Sequence, residues 1–217
     1  MAKAQSFFPF ILKWEGERYV NDPLDKGGCT HTGVTLATWQ TVGYDKNGDG
    51  KIDCEDVRLI NRADAYQVFL KTFWNPYRAN EIKSQSIANI IVDWAWASGV
   101  VTALKKVQRL LNKEFGLALP ESGKMDDATL QAINQVEQTR FYSALRAARE
   151  AHFRGIVAAN PSQARFLQGW LNRLNDFPQE LPIAEELMAR GRKNMIWLSG
   201  VLMFLGFGLI VVTTSSE

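Results

Sequence analysis

A glutamate at the end of an aromatic-rich segment is the first residue that could do chemistry. Glu15 follows Trp14 directly, and a turn-rich stretch comes after it. Cleavage of a glycosidic bond needs a carboxylic acid that keeps its proton near neutral pH, and burial against aromatic rings shifts a carboxyl pKa in that direction. A glutamate at a helix end is more often a solvated surface residue, so the spacing alone leaves both interpretations open. Opposing polar groups are available in the turn-rich stretch: Asp22, Asp25, Thr30 and Thr35.

A second pattern of side chains suits a divalent cation. The run DKNGDGKIDCED, residues 45–56, fits the calcium-loop pattern DxNxDGxxDxxD. Such a loop combines carboxylate and amide oxygens, one backbone carbonyl and a glycine at its sharp turn. The predicted ligands of a structural Ca²⁺ are Asp45, Asn47, Asp49, the Lys51 carbonyl, Asp53 and Asp56. Asp56 stands where glutamate is usual, which predicts weaker calcium binding or a preference for magnesium, and the alternative is a solvated Asx-rich turn.

Aromatic rings and one histidine are candidates for contact with a sugar. Trp74 and Trp96 are predicted to form a cleft wall, and His31 is predicted to line the same cleft. The alternatives are less specific. Tryptophans at helical spacing mostly belong to a core, and a partly exposed histidine usually makes ordinary hydrogen bonds.

The elements that must position these residues are mostly helical, with one non-helical stretch near the start. Ser6 is a possible N-cap of a short helix that stops at Gly16. Turn signals in residues 19–35 predict a small hairpin. Further helices are predicted over residues 61–74, 86–98, 102–115, 126–159 and 162–177, with Gly99 at a C-cap position.

The end of the chain carries a strong apolar signal. Residues 195–212 (MIWLSGVLMFLGFGLIVV) contain no charged residue, and a helix of this length spans about 27 Å, close to the hydrocarbon thickness of a bilayer. We therefore predict one transmembrane helix, with a buried core helix as the alternative. Basic residues 190, 192 and 193 precede it. The positive-inside rule then predicts an inner-membrane anchor with the enzyme domain initially on the cytoplasmic side, and no N-terminal signal peptide is evident.

The composition limits the size of the protein and the kinds of partner that it can have. The 217 residues are 46% hydrophobic, enough for one core and an appendage, and the net charge of +2 lacks the basicity typical of nucleic-acid binding. We expect no nucleic-acid partner and a monomer. Cys29 and Cys54 form no CxxC motif, and we predict free thiols, with a disulfide as the alternative.

Three segments carry a family resemblance. The run WEGERYVNDPLDKGGCTHTGVTLATW, residues 14–39, resembles the signature of glycoside hydrolase family 108, lysozyme-like N-acetylmuramidases. SIANIIVDWAWASG resembles a second segment of the same family. The stretch from VVTALKKVQRLLNKEFG to MDDATLQAIN resembles its small peptidoglycan-binding-like helical portion. Together these similarities cover about residues 6–175.

The resemblance implies roles for particular residues. Glu15 matches the family's catalytic glutamate, a general acid on the bond after N-acetylmuramic acid. Asp25 and Thr30 lie in the order of the Asp and Thr of phage-type lysozymes, which implies supporting catalytic roles. The chain has one extra residue before Tyr19, so the position of the second carboxylate stays open and Glu17 is also a candidate acid.

Asp93 lies within the VDWAW run and has two interpretations. It could be the second carboxylate of the site, or a buried acid with a structural role, and we favour the structural role.

These expectations combine into one architecture. The predicted fold is mostly α: a lysozyme-like α+β domain with a small hairpin and an inserted EF-hand-like loop, plus one C-terminal transmembrane helix. Its parts are a catalytic domain (1–99), a peptidoglycan-binding-like helical portion (100–177), a linker (178–194) and the membrane span (195–212). The implied function is hydrolysis of bacterial peptidoglycan at an inner membrane. The alternative is a non-catalytic peptidoglycan-binding or holin-like membrane protein.

Overall fold

Helices dominate the part of the chain that the computed structural model describes, residues 1–21 and 28–185. The α-helices are α1 (Ala4–Glu15), α2 (Leu36–Val42), α3 (Cys54–Arg58), α4 (Arg62–Phe69), α5 (Gln85–Ser98), α6 (Val100–Phe115), α7 (Asp127–Gln135), α8 (Gln138–Ala159) and α9 (Ala164–Asn175). A π-helical turn (Leu70–Trp74) continues α4, and short 3₁₀ turns cover Ala79–Glu81 and Pro161–Gln163.

The predicted hairpin is present but small. Strands β1 (Thr30–His31) and β2 (Val34–Thr35) pair antiparallel, with Thr30 opposite Thr35. The Thr35 hydroxyl then accepts the Thr38 N–H and caps α2, so the hairpin runs directly into a helix.

Two helix boundaries differ from the sequence expectation. Helix α1 begins at Ala4, and its N-cap is Lys3 rather than Ser6. The single helix expected over residues 126–159 is two helices, because the Glu137 carboxylate accepts the N–H groups of Thr139 and Arg140 and starts α8 anew. Helix α5 and its C-cap at Gly99 agree with the prediction to within one residue.

One core joins α1 to the helices of the C-terminal half. Helix α5 is buried on nearly all sides and lies at the centre of this core. Buried members of this core include Phe7, Ile91, Leu104 and Phe141. A second, smaller cluster around Trp39 and Val57 lies beneath the hairpin.

The two cysteines form a disulfide, so the prediction of free thiols is wrong. Cys29, just before β1, is bonded to Cys54 at the start of α3, with their Cα atoms 5.8 Å apart. They lie 25 residues apart in separate loops. Only the folded hairpin brings the two loops together, and the local sequence pattern gives no indication of that contact.

The predicted fold class needs one correction, concerning the membrane helix. Within residues 1–21 and 28–185 no helix is long and apolar enough to cross a membrane. The longest described helix, α8, carries Arg140, Arg149 and Arg154 along its length. The span expected over residues 195–212 lies outside the described residues. Its prediction depended on local apolarity alone, and the structure gives a transmembrane helix no support.

Candidate active site

Glu15 is the last residue of α1. The following Gly16 has a φ of +77° and donates its N–H to the Leu12 carbonyl, which ends the helix and turns the chain toward the hairpin. The Glu15 side chain is 25% exposed. It is therefore held by the protein and still reachable from solvent.

An arginine from the far end of the chain binds this glutamate. Arg173 of α9 donates from Nη1 to Oε1 of Glu15 at 2.7 Å. Its Nε and Nη2 donate to the carboxylate of Asp93 on α5, at 3.1 and 2.8 Å. Burial alone would lower the pKa of Arg173, but Asp93 and Glu15 together raise it above the ordinary value.

Asp93 is a buried structural acid, which confirms the favoured interpretation. Its side chain is completely buried, as is that of Arg149 of α8, which donates to it at 2.8 Å. Burial lowers the pKa of Arg149, opposed by the nearby Asp93 carboxylate. A buried charge needs such a partner, because an unpaired one is strongly destabilising.

The hairpin turn approaches Glu15 from the other side. Gly33 has a φ of +75°, and a Cβ built on it would lie 3.0 Å from Cβ and Cγ of Glu15 and 3.2 Å from Cζ2 of Trp96. The turn, the glutamate and the Trp96 ring therefore meet at one place. Trp96 is half-buried and lies against Phe73, with 4.4 Å between ring centroids.

Hydrogen bonds hold two of the hairpin residues that the sequence singles out. The His31 Nδ1 donates to the carbonyl of Val57 at 3.1 Å, which binds the histidine to the end of α3, and its role in lining a cleft stays a prediction. Thr30 exchanges backbone hydrogen bonds with Val20. Thr32, which the sequence reasoning did not single out, is 5% exposed, and its hydroxyl makes no hydrogen bond within the described residues.

Two other candidates have partners away from Glu15, and two more lie outside the described residues. Trp74 is fully buried and donates its Nε1–H to Asn80, so it is a core residue and its prediction as a cleft wall is wrong. Glu17 forms an exposed ion pair with Arg62 at 2.9 Å. Asp25 lies outside the described residues, as does Asp22.

The loop predicted to bind calcium is closed by its own hydrogen bonds. Asp56 is fully buried, and its Oδ1 accepts the N–H groups of Lys46 and Asn47 at 2.6 and 3.1 Å. Its Oδ2 accepts the N–H of Asp53 at 2.9 Å. Other side chains of the loop bend back onto backbone N–H groups that follow them: Asp45, Asn47, Asp49 and Asp53.

These contacts order the loop, and the predicted set of calcium ligands stays a prediction. Both Asp56 oxygens accept backbone N–H groups, so this residue closes the loop. Across residues 1–21 and 28–185, no group of three or more His, Cys, Asp or Glu side chains is arranged to hold a metal. The bonds from Asp53 and Asp56 also form the capping box of α3, and the loop thereby presents Cys54 to Cys29.

Known protein families and one solved structure are similar to this chain. The family model of glycosyl hydrolase 108 matches residues 8–99, and a model described as a predicted peptidoglycan domain matches residues 102–175. Residues 8–99 therefore form a glycosyl hydrolase 108 domain. The structure of Brucella abortus SagA is similar in fold, with a TM-score of 0.61, 22% sequence identity, and coverage of 87% of this chain and 94% of that chain. None of the curated proteins matches the chain.

The two matches confirm the resemblance seen in the sequence. The protein is a lysozyme-like glycoside hydrolase, peptidoglycan is its partner, and its role is at the cell wall. The two matches meet in space at the site, because Glu15 lies in the first matched region and Arg173 in the second.

Proposed function

We propose that this family 108 hydrolase cleaves the glycan strand of peptidoglycan as an N-acetylmuramidase, with Glu15 as its general acid. The observation that carries the proposal is the position of Glu15 at the end of α1, beside the hairpin turn and Trp96, with a quarter of its side chain exposed. A general acid must reach the leaving oxygen while it is held in place, and this arrangement meets both conditions.

The neighbours of Glu15 suit a glycan. The Trp96 ring offers an apolar surface beside the acid, as a sugar face requires. Thr30 and Asp25 complete the proposal in supporting catalytic roles. Glu17 has no part in it, because it lies in an exposed ion pair with Arg62.

The test is Glu15→Gln with Glu17→Gln as its matched control. The amide keeps the volume of Glu15 but cannot protonate the glycosidic oxygen, so the rate of peptidoglycan lysis should fall by about 100-fold or more with an unchanged melting temperature. Glu17→Gln should retain wild-type activity. More than about a tenth of wild-type activity in Glu15→Gln would exclude the proposed acid.

The products test the bond that is cut. Fragments released from purified peptidoglycan should carry N-acetylmuramic acid at their new reducing ends, as mass analysis can show. N-acetylglucosamine at those ends would make the enzyme a glucosaminidase. Binding without release of any fragment would favour the non-catalytic alternative.

A further inference from the structure

We infer that Arg173 is a positioning residue for Glu15, supplied by the peptidoglycan-binding region to a site that the family 108 region cannot complete alone. The inference depends on the proposed role of Glu15. It goes further in assigning a function in catalysis to a region whose family name describes only binding.

One guanidinium joins two carboxylates that are far apart in sequence. Arg173 is separated from Glu15 by 158 residues and from Asp93 by 80 residues. Its planar fork donates to both acids at once, a geometry that a flexible ammonium group does not reproduce. The Arg173 side chain is only 14% exposed, so the bridge is largely shielded from solvent.

The surroundings fix the arginine before any substrate binds. Asp93 is held by the buried Arg149, so the anchoring end of the bridge cannot move freely. The rings of Phe10 and Trp14 each lie 5.9 Å from the Arg173 guanidinium. The Trp14 Nε1–H donates to Asp176 at 2.9 Å, which ties the end of α9 to the end of α1.

This arrangement has a catalytic consequence. Arg173 binds Oε1 of Glu15 and fixes the direction of the carboxyl group, so the proton that a general acid transfers must be carried on Oε2. Misplacement of a reacting group by about 1 Å can cost a factor of 100 in rate. A carboxyl group without Arg173 would sample several rotamers at the end of α1, and few of them would point at the glycosidic oxygen.

The experiment compares three full-length variants on purified peptidoglycan. Arg173→Gln removes the charge, Arg173→Lys keeps the charge without the fork, and Arg154→Gln is the matched control. Arg154 lies in the same region, in an exposed pair with Glu150. The measurements are kcat, KM and the melting temperature.

Arg173→Gln should lower kcat by about 10- to 100-fold with a small change in KM. Arg173→Lys should recover part of kcat, because it restores the charge without the fork. Arg154→Gln should behave as the wild type in all three measurements.

Two results would overturn the inference. One is a folded Arg173→Gln protein with wild-type kcat. The other is an Arg173→Gln protein whose lower kcat comes with a lower melting temperature, while Arg173→Lys recovers the melting temperature and none of kcat, which would mean a purely structural role. If Arg173→Gln does not fold, Arg173→Lys decides: reduced kcat at a wild-type melting temperature supports positioning, and wild-type kcat contradicts it.

Assays of the wild type and of Glu15→Gln show whether a failure concerns the proposed function or only this inference. If the wild type and Glu15→Gln are both inactive, or both active, Glu15 is not the general acid and the inference about Arg173 fails with it. If only Glu15→Gln is inactive and Arg173→Gln is fully active, the acid stands and the positioning role alone is rejected.

Discussion

Glu15 and Gly33 constrain each other more tightly than any other pair at the site. The glycine is required twice, once because its φ of +75° suits no side chain well and once because a Cβ would touch Glu15. The closeness of this contact means that the hairpin turn sets one limit on the position of the acid and Arg173 sets the other.

Gly33→Ala should therefore impair catalysis more than stability. The added methyl group must displace Glu15 or Trp96, and activity should fall by about 10-fold or more. The matched control is Gly116→Ala, at a φ of +67° with no atom within 4 Å of its Cβ position. Both variants should lose about 1 kcal/mol of stability from backbone strain, but Gly116→Ala should keep its specific activity. Equal specific activities in lysis assays would contradict the contact.

Residue-level prediction depends on whether a local motif carries the information. Glu15 lies in a dense family pattern, so its position could be found without a structure. Arg173 could not, because nothing in its own segment points to a partner 158 residues away. Trp74 and Trp96 differ only in burial, a property of the folded core that their spacing does not determine.

At the scale of elements, the loop of residues 45–56 acts as a spacer that sets the start of α3. Its closing residue is Asp56, whose pKa is held below the ordinary value by the backbone N–H of Asp53, against the effect of burial, and by the N–H groups of Lys46 and Asn47. A lowered pKa in the folded state stabilises the protein above the ordinary value near 3.9. That contribution is lost as the pH falls through the lowered value.

Asp56→Asn should lower the melting temperature at pH 7, since an amide has only one acceptor oxygen for three backbone donors. Its stability should also depend less on pH than that of the wild type below about pH 4. Asp49→Asn is the control, because an amide oxygen can still accept the N–H of Lys51. Identical acid unfolding curves for Asp56→Asn and the wild type would show that Asp56 does not close the loop.

Calcium itself stays a prediction of the sequence pattern. The same melting curves test it with millimolar calcium and with a chelator, because an ion bound only by the folded state raises the melting temperature. We expect calcium to raise the wild-type value, and the double substitution Asp45→Ala with Asp49→Ala to abolish the response. Identical melting curves of the wild type with calcium and with the chelator would contradict the prediction, and the loop would then be closed by Asp56 without an ion.

Element prediction worked for strongly periodic segments and failed at side-chain caps. The apolar stripe of α5 and its terminal glycine are local features, so the helix was predicted to within one residue. The break between α7 and α8 depends on one carboxylate turning back onto two N–H groups. A glutamate inside a helical sequence pattern gives no indication that it will cap a new helix.

Over the whole molecule, the two regions matched by the family models share one core and one buried charge network. Helix α5 belongs to the first region but is covered by α6 and α8 of the second. Asp93 depends for its partners on Arg149 and Arg173, both from the second region. The boundary near residue 100 therefore separates two sequence families without separating two independently stable bodies.

A fragment of residues 1–99 should fail to form a stable hydrolase. It would expose the apolar faces of α5 and leave Asp93 without either arginine. The matched fragment, residues 1–185, contains the described contacts and should fold and cut peptidoglycan. Circular dichroism melting and lysis assays test both. A cooperative transition with activity in the 1–99 fragment would contradict the single unit.

The distance in sequence between Glu15 and Arg173 also sets the order of events during protein synthesis. A ribosome adds about 5 to 20 residues per second, so Arg173 is made roughly 10 to 30 seconds after Glu15. During that interval the nascent chain carries the acid without its bridge. A molecule whose translation stops early therefore has no assembled site, and lytic competence begins only when nearly the whole chain has been made.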